Sequence, residues 1–180
     1  GGEHLHRMPG QYGAITINTS NSPQLVASAN WIWFDFQSGA NSGTVNISGM
    51  SRMLITGLTA SDRVINKYVV DVGAGSSNVV VADNSIYSAP SQNNTIAEWL
   101  ALGNGISIAN THCGTLLRNK IRFVRHAIGV GYSGTLYPAN SCKILVQEND
   151  IQHFSGDGSR MNCSDLSFIR NQMIDGYVSG

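Results

Sequence analysis

Four segments of this chain align without gaps on a single asparagine, and the pattern around it restricts the fold more than any other feature. They are NVVVADNSIYS (78–88), CGTLLRNKIRF (113–123), KILVQENDIQH (143–153) and DLSFIRNQMID (165–175). The shared residue is Asn84, Asn119, Asn149 and Asn171. Three places before it stand Val81, Leu116, Val146 and Phe168; five before it, Val79, Gly114, Ile144 and Leu166. Two places after it come Ile86, Ile121, Ile151 and Met173. Side chains alternate along a strand, so the change of phase across the Asn implies strand, kink, strand, with both inward sets on one core. Helical spacing near 3.6 is absent. The corner needs a left-handed backbone conformation, which Asn tolerates, and stacked coils bring the Asn amides over one another.

The Asn-to-Asn intervals are 35, 30 and 22 residues. The shortest fits one turn of a three-stranded coil, and the longer ones fit the same turn with loops inserted at corners. A third strand follows at 105–108, 127–130 and 158–161, with 68–72 as its counterpart one coil earlier. Residues 44–49 and 52–61 continue the pattern less cleanly, and 14–17 with 25–28 are expected to make the first coil. Residues 89–103 read as an insert, with a capped short helix over 94–103 that ends at Gly103. The expected fold is all-β: a right-handed parallel β-helix, a solenoid of three-stranded coils forming one domain over 1–180, with one short helical insert.

Composition agrees. Only 12% of residues are charged, against about 25% in ordinary soluble proteins, while Gly, Ser and Asn supply turns. Eleven basic residues balance eleven acidic ones, which argues against nucleic acid or an anionic membrane as partner. No apolar run is long enough to span a bilayer, and Gly1-Gly2-Glu3-His4 lacks a signal-peptide layout. Cys113, Cys142 and Cys163 have no zinc-site spacing. Buried thiols are the default, and one bridge is compatible with an oxidising compartment.

Pro9-Gly10-x-Tyr12-Gly13-x-Ile15-x-Ile17, Ile55-Thr56-Gly57-Leu58, the Asn-x-Ile coils and Ser155-Gly156-Asp157-Gly158 together resemble the pectate-lyase-like right-handed β-helix superfamily. The resemblance covers nearly the whole chain and is specific for fold more than for activity. It implies a secreted, periplasmic or virion-borne protein acting on acidic polysaccharide, often a lyase, hydrolase or epimerase. Relatives usually begin with a capping helix, whereas this chain starts almost at the Pro-Gly-x-Tyr strand and stops directly after a coil. A segment of a longer solenoid is therefore expected, or association through open ends that expose strand edges. The clustered Asp ligands of calcium-dependent pectate lyases are missing. So are the polygalacturonase set and the epimerase Asp-Pro-His, which leaves the enzyme label to fold analogy. No metal or cofactor is expected.

Most charges have a structural explanation. Asp83, Arg118, Glu148 and Arg170 precede the ladder Asn, and Ser85, Lys120, Asp150 and Gln172 follow it. Stacking about 4.8 Å apart makes them an alternating outer column. On the third strand, Asp71, Ser107, Gly129 and Arg160 point outward. Arg160 beside Asp157, with His126, forms the candidate catalytic set. Arg122, Arg125 and Asp71 are candidates for substrate binding, the guanidinium groups suiting a uronate carboxylate. A lyase needs that carboxylate neutralised, a base for the C5 proton and an acid for the leaving oxygen. The resemblance implies Arg or Lys as base and His or Tyr as acid. A hydrolase needs two carboxylates, for which Asp71 and Asp157 are the candidates. Asp157 also makes a good turn residue between glycines. His153 aligns with Phe123 on the inward side, near the core, and His126 suits either role. His4 and His6 are expected in solvent. Trp31, Trp33, Phe34 and Phe36 are expected in the core or at an end, with sugar stacking the lesser alternative. The alternative function is a non-catalytic glycan-binding or structural module of a surface or phage tail protein.

Overall fold

The computed structural model describes residues 4–7, 11–12, 15–18, 31–37, 40–41, 44–61, 67–73, 75–88, 95–109, 112–131, 142–163 and 165–176. The chain winds as a right-handed parallel β-helix. The first coil holds β1 (His4–Arg7), β2 (Gln11–Tyr12) and β3 (Ile15–Asn18). The second holds β4 (Ile32–Asp35), β5 (Ala40–Asn41) and β6 (Val45–Ser48), and the third β7 (Ser51–Thr56), β8 (Thr59–Ser61) and β9 (Tyr68–Val72). The fourth comprises β10 (Ser77–Ala82), β11 (Ser85–Tyr87), helix α1 (Ile96–Leu100) and β12 (Asn104–Ile108). The fifth has β13 (His112–Leu117), β14 (Lys120–Val124) and β15 (Ile128–Val130); the sixth has β16 (Cys142–Gln147), β17 (Asp150–Phe154) and β18 (Ser159–Met161). β19 (Leu166–Ile169) and β20 (Gln172–Gly176) follow. Equivalent strands stack into three parallel sheets of seven, seven and six strands. The first coil thus begins at His4, earlier than expected, and 25–28 lie outside the described residues. His4 and His6 belong to β1.

Register explains the core. Ile32, Met53, Val79, Gly114, Ile144 and Leu166 stand in one inward column of the first sheet. Ala60, Ile86, Ile121, Ile151 and Met173 stand in one of the second. The Val and Ile members of these columns are buried, each stabilising by about 1.5–3 kcal/mol. Gly114 interrupts its column because a Cβ there would come within 3.0 Å of Ile108 and 3.1 Å of Ile144, whose methyl groups fill the space. On β19 and β20 the inward positions are less covered: Phe168 and Met173 are 42% and 37% exposed, where their register partners Val146 and Ile151 are fully buried.

The Asn ladder is present, and its backbone corrects the sequence reading. Asn84 Nδ2 donates to Asn119 Oδ1 (3.0 Å), Asn119 to Asn149 (2.9 Å) and Asn149 to Asn171 (2.9 Å). Each backbone N–H donates to the same oxygen. Each Nδ2 also reaches a strand carbonyl, that of Ile55, Val81, Leu116 or Val146. The left-handed residue is the one before the Asn: Asp83 (φ 56°), Arg118 (50°), Glu148 (56°) and Arg170 (50°). The kink is complete before the Asn, whose amide and backbone N–H then face the next coil together. Gly57 (φ 67°) takes that place one coil earlier, and Leu58 N–H closes the ladder on Asn84 Oδ1 (2.9 Å).

A second kink relocates two aromatic side chains. Phe123 (φ 51°) and His153 (φ 55°) are left-handed, so Val124 and Phe154 turn inward instead. Phe123 and His153 stack outside the main core, centroids 5.0 Å apart and planes within 3°, which corrects their inward placement. Phe123 packs against Trp99 and Leu102 of the insert. Helix α1 starts at Thr95, which forms a capping box with Glu98. Trp99 plugs the insert against the solenoid, Ser155 Oγ donates to the Trp99 carbonyl (2.8 Å), and Gly103 N–H donates to Ser88 Oγ (2.7 Å). The early aromatic cluster divides. Phe34 and Phe36 are core, Trp31 is exposed, and Trp33 is half-buried with Nε1 on Thr56 Oγ1 (2.6 Å).

Candidate functional site

Where the chain passes from the second sheet to the third, Asn104, His126 and Asp157 stand in one column, two residues before the paired Ile106, Ile128 and Ser159. The side chains of Asn104 and His126 each meet the backbone of the next coil. His126 N–H donates to Asn104 Oδ1 (3.2 Å), and Asp157 N–H donates to His126 Nδ1 (3.0 Å). The imidazole nitrogen stands where an Asn oxygen would. Because Nδ1 accepts an amide hydrogen, it carries no proton of its own. His126 is 7% exposed. Burial depresses its pKa to about 4, aided by the Arg160 and Arg125 charges and opposed by Asp157. Asp157 Oδ2 lies 3.3 Å from Nδ1, a contact between two acceptors at neutral pH and so not an ion pair there. A Cβ at Gly156 would fall 2.6 Å from the ring, so glycine is required beside it.

Arg160, on β18, turns back to place Nε on Asp157 Oδ2. The pair is partly open to solvent, with side chains 35% and 45% exposed. In the outward column of the third sheet Arg160 is in register with Gly129, and Gly129 with Ser107 and Asp71. Gly129 leaves a gap that Tyr68 fills from two strands away. A Cβ there would lie 2.4 Å from Tyr68 Oη and 2.9 Å from Cζ. The phenol therefore crosses β12 on the outer surface, which accounts for the burial of Ser107. Burial raises the Asp71 pKa, with the Ser107 hydrogen bond and the Lys67 charge acting against it.

The candidates thus separate. Arg160, Asp157 and His126 converge from two adjacent coils, with Arg125 close enough for its charge to act on His126. Arg122 is engaged elsewhere, paired with Asp150 on the second sheet and donating to the Asp150 carbonyl (2.6 Å). Asp71 is three strands from Arg160 in the same column, about 14 Å at the usual spacing. That exceeds the carboxylate separations of retaining or inverting glycosidases, so Asp71 and Asp157 do not form a hydrolase pair. Tyr68 was not among the sequence candidates. A glycine inside a strand marks a close approach, but Gly129 does not say by which residue.

The outer charge column is as expected for Asp83–Arg118 (2.7 Å) and Glu148–Arg170. In the column after the Asn, Asp150 bonds Arg122 and Gln152. A groove of about 250 Å³ lies at the Asn corner, bordered by Thr59, Asp83, Ser85, Arg118 and Lys120. Asp83 and Arg118 pair with each other there, and the Asp83 carboxylate raises the Arg118 pKa. Among the described residues, no group of three or more His, Cys, Asp or Glu converges to hold a metal ion. Cys113 and Cys163 are free thiols. No helix of the described residues is long and apolar enough to cross a membrane. No family model, curated protein or solved structure matches the chain.

Proposed function

We propose that this protein handles acidic polysaccharide on the outer face of its third sheet, with lyase-like action centred on Arg160, as in the pectate-lyase-like superfamily it resembles. One observation carries the reading: Arg160, Asp157 and His126 meet at a corner in a cluster open to solvent on its Arg160–Asp157 side. The planar fork of a guanidinium matches the geometry of a carboxylate, the group that a uronate presents. Such a protein acts outside the cytoplasm or on a virion, where these polymers occur. Incubation with pectate, alginate and glycosaminoglycans, with and without calcium, tests the reading through the absorbance of unsaturated uronate. Signal with one polymer, lost in Arg160→Ala at unchanged thermal stability, is the expected result. Unfolding of Arg160→Ala would recast Arg160 as structural.

A second reading, a non-catalytic glycan-binding or structural module, has an observation of its own. The charges of the region are paired within the protein, Arg160 with Asp157 and Arg122 with Asp150, and His126 Nδ1 is occupied by an amide. The exposed Phe168 and Met173 suit the edge of a further coil, including one from another copy. Saturable glycan binding without product, or self-association that ends when Phe168 is made polar, distinguishes this reading from the first.

A further inference from the structure

We infer that Tyr68 is the proton-transfer residue of the Arg160 site, an assignment that rests on the lyase reading above. The outward column of the third sheet runs Thr16, Asn46, Asp71, Ser107, Gly129, Arg160. Gly129 is its one member without a side chain, and the Tyr68 hydroxyl occupies that gap. Arg160 is the next rung, about 4.8 Å along the stack. The other groups at this place have different duties. His126 is neutral and its Nδ1 accepts the Asp157 N–H. The Asp157 carboxylate holds Arg160. A phenol one rung from a guanidinium can take and return a proton within reach of a uronate that the guanidinium holds.

The chemistry balances with this one residue. The Tyr68 phenolate takes the C5 proton of a uronate whose carboxylate faces Arg160. The electron pair of the C5–H bond becomes the C4=C5 double bond, and the C4–O bond breaks. The departing oxygen takes the proton back from Tyr68, which returns to phenolate. No oxidant, reductant or net proton is required. Turnover on this route rises with pH toward the ionisation of a phenol.

The test compares wild type, Tyr68→Phe, Gly129→Ala and the double variant on pectate, alginate and glycosaminoglycans. Unsaturated uronate is followed by absorbance, polymer binding by calorimetry and folding by thermal melts. Tyr68→Phe is expected to fold and bind as wild type does while turnover falls by about 10²–10⁴-fold. Gly129→Ala keeps the phenol but displaces it, since the added methyl would lie 2.4 Å from Oη. It is expected to lose turnover comparably, with the double variant no worse than either single one. Wild-type turnover in Tyr68→Phe overturns the assignment and leaves the lyase reading intact. A wild type without turnover on any polymer overturns both. If Tyr68→Phe unfolds, Gly129→Ala decides: full turnover there overturns the assignment, and lost turnover at unchanged binding supports it.

Discussion

Two corners of the solenoid perform the same backbone task with different residues. At the first, Asn84, Asn119, Asn149 and Asn171 repeat one side chain, and the amides of Asn84, Asn119 and Asn149 are consumed by the ladder on both faces. At the second, Asn104, His126 and Asp157 each present a different acceptor or carboxylate to the neighbouring coil. The uniform corner uses up its chemistry in holding the stack. The mixed corner holds the stack too, yet leaves a carboxylate oxygen for Arg160 and an imidazole whose protonation state is set by burial. Sites arise more readily where a structural position accepts several residue types.

The sharpest way to break the comparison is in the middle of the uniform ladder. Asn119→Ala strands the backbone N–H and one Nδ2 hydrogen of Asn84 in a buried place, and urea unfolding should show a loss of about 3 kcal/mol or more. At the mixed corner the matching effect depends on pH. Between pH 6.5 and about 4 the unfolded chain takes up a proton that folded His126 does not. Stability from this group therefore falls as pH drops through that window and levels off below it, by an amount on the order of 3 kcal/mol. His126→Asn supplies an equivalent acceptor to the Asp157 N–H. It should hold the fold at neutral pH and flatten the acid limb of the unfolding profile; an unchanged limb would assign the titration to another group. Asn171→Ala, at the partly open end of the ladder, should lose only about 1 kcal/mol. Arg118→Ala removes an exposed ion pair with Asp83 and should leave the melting temperature within error.

Much of this was legible in the residues because solenoids write one structural unit repeatedly. The recurring Asn and its inward neighbours placed the strands and their register, and the alignment put Asp71, Ser107, Gly129 and Arg160 in one outward column, as found. The kink itself was misplaced by one residue, since Asp, Arg and Glu do not advertise a left-handed backbone as Gly would. Strict alternation puts Phe123 and His153 inward, and the second kink, at those residues themselves, turns them out. Arg122 belongs with Arg125 and His126 to the coil before Arg160, which suggests a shared site, yet β14 and β18 belong to different sheets. The mixed ladder escaped notice because its members share no letter. Tyr68 escaped because its position depends on a side chain that Gly129 lacks.

The insert that carries α1 occupies the same corner that the next coil turns with residues 125–127, between β14 and β15. Two adjacent coils thus close an equivalent gap with very different lengths of chain while their flanking strands stay in register. Loop-closure entropy grows only by about 0.6 kcal/mol per doubling of length. This corner therefore tolerates grafting: segments of new length and sequence can be exchanged beside Arg160 without re-threading the solenoid. A walled cleft could be built or removed there by changing one loop at a time, with the stacked strands left as they are.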